Sequence, residues 1–200
     1  MVKTWKEDLQ DFAGENHVPI LREEAQNFLL KLVKEENKKT ILELGTAIAY
    51  TSIALAKLNP EIQVDTVERD EEMYLQALEN VRQAQLDRQI RCYGMDIDDF
   101  EPSRSYDVIF VDAAKAQYEK YFQRFAPYLK QDGFFFFDNM IFHGMIYKAD
   151  QLRNRSTRHL VRRICQFREK VRLESNYNAV FYDKIGDGIL IMRRRDMHES

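Results

Sequence analysis

Residues 106–115 read YDVIFVDAAK. A short, mostly apolar run ends in Asp112, and Lys115 follows three residues later. An apolar run with a carboxylate at its end is the pattern of a buried parallel strand carrying an acid at its carboxyl tip. In open α/β sheets, ligands and catalysis sit at those tips. Asp112 is therefore a candidate metal ligand and Lys115 a candidate general base.

Outward from this strand the chain alternates between two periodicities. Strands over 40–44, 62–67 and 90–93 precede it, with helices over 51–58 and 71–85 between them. A helix over 118–129, a turn at Gln131-Asp132-Gly133 and a strand over 134–137 follow. A long helix over 152–173 leads to strands over 178–185 and 188–192. These two are joined at Gly186-Asp187-Gly188, a hairpin signal. Two amphipathic helices, 4–12 and 22–36, open the chain, and residues 193–200 read as a polar, frayed tail. Alternation predicts one α/β domain over 1–200, with residues 1–39 as a helical cap. Its centre is a mostly parallel seven-stranded sheet, with helices on both faces and a closing antiparallel hairpin.

Two hundred residues suffice for one self-supporting core. The apolar content of 44% and charged content of 32% are those of an ordinary soluble domain. Cys92 and Cys165 show no metal or CxxC spacing, which reads as two reduced thiols in a cytoplasmic protein. The opening MVKTWKEDLQDF has no apolar leader, and no run approaches the ~20 apolar residues of a membrane span. A net charge of −3 excludes a globally basic nucleic-acid binder, though not a local basic patch.

The first strand runs into ELGTAIAYT, residues 43–51. Gly45 permits a tight turn and close approach of a ligand to the backbone. The loop is neither a GxGxxG fingerprint nor a phosphate P-loop, which argues against a dinucleotide-dependent dehydrogenase. Glu68 ends the second strand, placed to accept hydrogen bonds from ribose hydroxyls. Met95-Asp96 follows the third, in reach of a nucleobase. Each acid alone reads equally as a solvated charge or a turn cap. Acids at successive strand tips point to a nucleoside without phosphates. S-adenosylmethionine is such a ligand, and its amino-acid end suits the amides and hydroxyls of 46–51.

Asp138-Asn139 ends the fifth strand, FFFFDN. If that strand neighbours the fourth, Asp112, Asp138 and Asn139 converge as two carboxylates and an amide carbonyl. This donor set suits a hard cation, by default Mg²⁺, with Ca²⁺ and Mn²⁺ compatible. A partly desolvated lysine beside such a cation has a lowered pKa and can act as a base.

The segments ELGTAIAYT, VERD (67–70), FVDAAK (110–115) and DN (138–139) resemble the cation-dependent O-methyltransferases, the family of the catechol and caffeoyl-CoA enzymes. The resemblance implies a Rossmann-like methyltransferase fold and a homodimer. It implies that Asp112, Asp138 and Asn139 bind Mg²⁺, that Lys115 is the base, and that Glu68 holds the cofactor ribose. Met95 and Asp96 would lie near adenine. Ile20, Glu43, Gly45, Thr46, Tyr50, Thr51 and Asp112 would lie along the rest of the cofactor. Ala49 departs from the pattern, standing where the family usually has a second glycine. VDAAKAQYEKYF and DNMIFHGMIY are most similar to the bacterial branch that methylates 5-hydroxyuridine in tRNA.

The long helix reads LRNRSTRHLVRRICQFREKVRL. Between 153 and 172 it carries eight cations against one acid, Glu169. Internal i,i+4 pairing cannot neutralise that excess. Arg153, Arg155, Arg158, Arg162 and Arg163 are candidate contacts to the phosphates of a tRNA anticodon loop. Phe142, His143 and Tyr147 could line a pocket for a splayed base. Two other readings compete: a small catechol-like substrate for the same chemistry, and a non-catalytic nucleoside- or RNA-binding module.

Overall fold

The computed structural model describes residues 3–195. Helices α1 (Trp5–Glu15) and α2 (Glu23–Glu35) precede strand β1 (Thr40–Leu44). Then follow α3 (Tyr50–Ala56), β2 (Gln63–Glu68), α4 (Glu71–Gln83), β3 (Ile90–Gly94) and β4 (Tyr106–Val111). The second half contains α5 (Tyr118–Phe125), β5 (Leu129–Phe137), α6 (Arg155–Arg172), β6 (Tyr177–Tyr182) and β7 (Ile189–Arg194). The seven strands form one sheet in the order β3-β2-β1-β4-β5-β7-β6. β1 to β5 pair in parallel, and β7 pairs antiparallel to both β5 and β6.

Alternate residues of the central strands pack into different cores, as pleating requires. Val108, Phe110, Phe134 and Phe136 meet α2, α3 and α4 through residues such as Leu29, Ile53 and Val81. Ile109, Val111, Phe135 and Phe137 meet α5 and α6 through Phe122, Ile164 and Phe167. The four phenylalanines of β5 are completely buried. Each contributes about 1.5–3 kcal/mol relative to exposure.

Several predicted boundaries shift. β5 begins at Leu129, because Gln131-Asp132-Gly133 forms an irregularity within the strand and not a turn before it. The helix expected to Leu129 ends at Phe125, since Pro127 lies in a short 3-10 turn, Ala126–Tyr128. The basic helix starts at Arg155 under an Asn154 cap, preceded by a kinked 3-10 segment, Met145–Gln151. Arg193 and Arg194 belong to β7, pairing across the sheet, instead of to a tail. The rest of that expected tail, 196–200, lies outside the described residues. Among the described residues no helix is long and apolar enough to cross a membrane.

Candidate active site

The sheet reverses its direction of winding between β1 and β4, and a cleft of about 710 Å³ opens there. Parallel register aligns the strand tips. Leu44 is level with both Val67 and Val111, and Val111 with Phe137. The next residues along these strands are Gly45, Glu68, Asp112 and Asp138. Backbone bonds carry the ladder one step past the strand ends: the Asp112 N–H donates to Leu44 O at 3.0 Å, and the Gly45 N–H to Val67 O at 3.1 Å.

Gly45 has φ +100°, and a Cβ there would lie 2.4 Å from the Asp112 carbonyl oxygen. The glycine is thus required by the neighbouring strand's backbone. Beyond it, Ala47 and Ala49 also have positive φ, at 47° and 63°. The Ala47 N–H donates to Glu68 Oε2 at 2.9 Å, and the Asp70 N–H to Oε1 at 2.9 Å. Glu68 therefore ties the loop to β2 and retains lone pairs toward the cleft. Ala49 is fully buried in the core on the α2 side, so its methyl does not enter the cleft.

Glu43 is 1% exposed. Its Oε2 accepts from Ser52 Oγ and from Thr66 Oγ1, the latter at 2.7 Å, and Thr66 shares a hydrogen bond with Thr46 at 2.6 Å. Burial pushes the Glu43 carboxyl up to about 8. It braces the loop from beneath. Tyr50, whose hydroxyl accepts from Gln10 at 2.9 Å, and Thr51 line the cleft wall. Ile20 closes the same side from the segment joining α1 to α2. Asp96 lines the cleft while Oδ1 accepts from the Asp98 N–H at 2.9 Å, so it is both turn cap and wall. Met95 is exposed and does not line the cleft, contrary to the expectation, because its backbone continues the β2–β3 ladder and its side chain faces solvent.

On the other side of Gly45, Asp112, Asp138, Asn139 and Lys115 share the cleft. Burial and the Asp138 charge push the Asp112 carboxyl up to about 7. Burial likewise lifts Asp138 to about 6, against the Asn139 amide and the charges of Lys115 and Arg22, which pull it down. Asp138 is 3% exposed, and its Oδ1 has no hydrogen-bond partner. An orphaned buried carboxylate oxygen beside a second carboxylate is what a cation would satisfy. Among the described residues no three His, Cys, Asp or Glu side chains gather around one point. The third donor in the set is an amide. Lys115 is half-buried at the start of the 3-10 turn Lys115–Gln117.

The sequence matches the O-methyltransferase family profile over residues 5–195. The chain belongs to the O-methyltransferase family. A candidate caffeoyl-CoA O-methyltransferase from Staphylococcus aureus superposes with a TM-score of 0.88 at 32% identity, covering 96% of this chain and 93% of that one. A caffeoyl-CoA O-methyltransferase of Populus kitakamiensis is 25% identical over 177 residues, 84% of this chain and 74% of its own. A Bacillus cereus O-methyltransferase, solved with S-adenosylhomocysteine, shares the fold with a TM-score of 0.82 at 22% identity, covering 98% and 92% of the two chains.

Two features of this O-methyltransferase differ from the sequence reading. Three of the eight cations on the basic segment are paired. Arg168 is buried, forks onto Asp183 at 2.9 Å twice and donates to Met140 O at 3.2 Å. Lys170 pairs with Glu119, and Arg172 with Glu169. Arg153, Arg155, Arg158, Arg162 and Arg163 form no ion pair with any described residue. Tyr147 is 63% exposed and donates to Asp183 at 3.0 Å, so it does not join Phe142 and His143 at the cleft. The residue the sequence reading missed is Asp187. Its buried carboxylate accepts from Asn139 Nδ2 at 3.2 Å and from the His143 N–H at 2.6 Å. It thereby turns the Asn139 carbonyl oxygen away from itself and leaves it free as a donor atom.

Proposed function

We propose that this enzyme methylates the 5-hydroxyl of 5-hydroxyuridine at the tRNA wobble position, giving 5-methoxyuridine. S-adenosylmethionine supplies the methyl group as a sulfonium, and Gly45, Thr46, Thr51, Glu68 and Asp96 line its end of the cleft. Asp112, Asp138 and Asn139 would hold a divalent cation, Mg²⁺ by default. Bound there, it would acidify a substrate hydroxyl. The observation that carries the chemistry is the unsatisfied Asp138 oxygen beside Asp112, with Lys115 in the same cleft. Once Lys115 has lost its own proton to solvent, its neutral Nζ would take the hydroxyl proton as the oxygen–methyl bond forms and the carbon–sulfur bond breaks. Holding the two reactants in line supplies most of the rate, ~7–11 kcal/mol.

The unpaired arginines support RNA as the acceptor. The first turn of α6 has no acidic residue and carries Arg155 and Arg158 at the positive end of the helix dipole. That placement costs stability unless an anion is bound. α6 packs against the turn that starts at Lys115, beside the cleft. In a single-stranded loop, a base can be splayed into such a cleft.

The test is incubation with labelled cofactor, Mg²⁺ and tRNA bearing 5-hydroxyuridine, with and without chelator. Label in 5-methoxyuridine that disappears with chelator is the expected result. The likeness to caffeoyl-CoA O-methyltransferases favours a second reading, a small catechol-like acceptor. Efficient catechol methylation with no label in tRNA would establish it. A homodimer located in the cytoplasm completes the proposal, and sedimentation would check the first part.

A further inference from the structure

We infer that Arg22 and His143 form a phosphate-binding pair at the mouth of the cleft, holding the phosphate attached to the nucleoside that is methylated. This rests on the tRNA reading above and names an anchor for the target nucleotide itself, which the α6 arginines, not among the cleft-lining residues, do not supply.

The two residues come from opposite walls. Arg22 caps the start of α2 without a side-chain cap bond, and His143 follows β5. Arg22 Nη2 lies 3.0 Å from His143 Nδ1, and both line the cleft. A guanidinium can only donate, so Nδ1 accepts and Nε2 carries the proton. The pair therefore keeps one imidazole N–H and four guanidinium N–H groups for an anion. Among the described residues Arg22 has no carboxylate partner, although Lys6 pairs with the adjacent Glu23. Glu24 likewise accepts from the Gly186 N–H at 3.2 Å, so the neighbouring acids are engaged elsewhere and the exposed guanidinium is available for another anion.

His143 is held in place. Phe142, His143 and Gly144 all have positive φ, at 44°, 54° and 73°. The His143 N–H is bound by the buried Asp187 carboxylate at 2.6 Å, while the ring is 56% exposed. Backbone strain of this kind is kept where the surroundings over-determine it. Arg69, at the Glu68 and Asp96 end of the cleft, lies 3.7 Å from Asp96, whereas Arg22 has no carboxylate within ion-pair distance among the described residues. Beside it, Asp187 Oδ2 lies 3.8 Å from His143 Nδ1, the nitrogen that accepts from Arg22, which leaves Nε2 facing away from that acid. Arg22 lies close enough for its charge to act on Asp138. A 5-hydroxyuracil ring with its hydroxyl at Asp112 and Asp138 leaves ribose and phosphate directed outward to that rim.

Binding of 5-hydroxyuridine and of its 5′-monophosphate would be measured by calorimetry with Mg²⁺ and S-adenosylhomocysteine present. The expected result is roughly tenfold tighter binding of the monophosphate to the native protein, the scale of a charged hydrogen bond. Arg22→Ala should abolish that preference, Arg22→Lys should retain part of it, and His143→Ala should reduce it. Equal affinities in the native protein overturn the site, whatever happens with tRNA. The second arm is methylation of a 5-hydroxyuridine trinucleotide. A KM raised about tenfold in Arg22→Ala, by the same charged hydrogen bond, supports the assignment to RNA. A preference for the monophosphate without any methylation of the trinucleotide keeps the phosphate site and overturns the RNA reading.

Discussion

In the proposed reaction Lys115 and Asp187 serve one donor set in different ways, the first as base and the second by orienting Asn139. Lys115→Ala should lower kcat by ~10²–10⁴, the usual worth of a positioned acid or base. S-adenosylmethionine affinity should stay near native, and an equal loss of both would assign the lysine a structural role. Asp187→Asn presents an amide N–H₂ to the Asn139 N–H₂ and turns that side chain. A residue behind a metal ligand typically governs 10–100-fold in metal affinity. The Mg²⁺ concentration for half-maximal activity should rise by about that factor. The contrast between these two residues has a physical origin. An acid or lysine just past an apolar run is visible in sequence, because the strand fixes where its tip lies. Asp187 is flanked by glycines, so the hairpin turn accounts for it fully at that level. Its burial depends on residues 139–143 folding back over it, 44 to 48 positions away.

At the scale of elements, α6 combines an anchor and a charged face. Arg168 is 7% exposed and bonded to Asp183 and to the carbonyl of Met140, one residue past Asn139. Arg168→Met should destabilise the protein by roughly 1–2 kcal/mol, less than loss of a partner from a fully buried pair, because Asp183 stays 33% exposed and can be hydrated. Arg162→Ala with Arg163→Ala should leave thermal stability within ~0.5 kcal/mol. It should weaken tRNA binding and flatten the salt dependence by about one unit for each phosphate left without its arginine. tRNA methylation should then fall much more than catechol methylation, and a parallel fall in both would remove α6 from the RNA surface. The charge excess of this helix was legible from composition. Its division into paired and free cations was only partly so: Arg172 pairs with Glu169 within the helix, but the partners of Arg168 and Lys170, Asp183 and Glu119, lie elsewhere in the chain. The parallel character of the sheet was legible from the strand–helix alternation, whereas strand order and register were not, since no helix separates β3 from β4 and the crossover there is read only from the structure.

For the molecule as a whole, the acids around the cleft set a pH dependence. Asp112, Asp138 and Glu43 have folded values of about 7, 6 and 8, above their ordinary 3.8, 3.8 and 4.5. Between the ordinary and the raised values the folded state binds more protons than the unfolded chain. Stability should therefore be highest below about pH 4 with respect to these groups and fall as pH rises toward 8. Melting of chelated protein from pH 5 to 8 should show a progressive loss of stability. Mg²⁺ should restore the portion due to Asp112 and Asp138, since ligands bind deprotonated. Glu43→Gln should remove the portion nearest pH 8. A flat profile in the chelated protein would contradict this assignment.

Gly45 meets the Asp112 carbonyl backbone to backbone, with no side chain between them. The two halves of the cleft, proposed to hold the methyl donor and its acceptor, are thus spaced by main chain, which substitution cannot tune without unseating a strand. The rim at Arg22, Phe142 and His143 is made of side chains on connecting segments. Acceptor choice and transfer distance are consequently separable in this fold. Redesign of the rim can retarget the enzyme to a different hydroxyl while the span across which the methyl group moves stays constant.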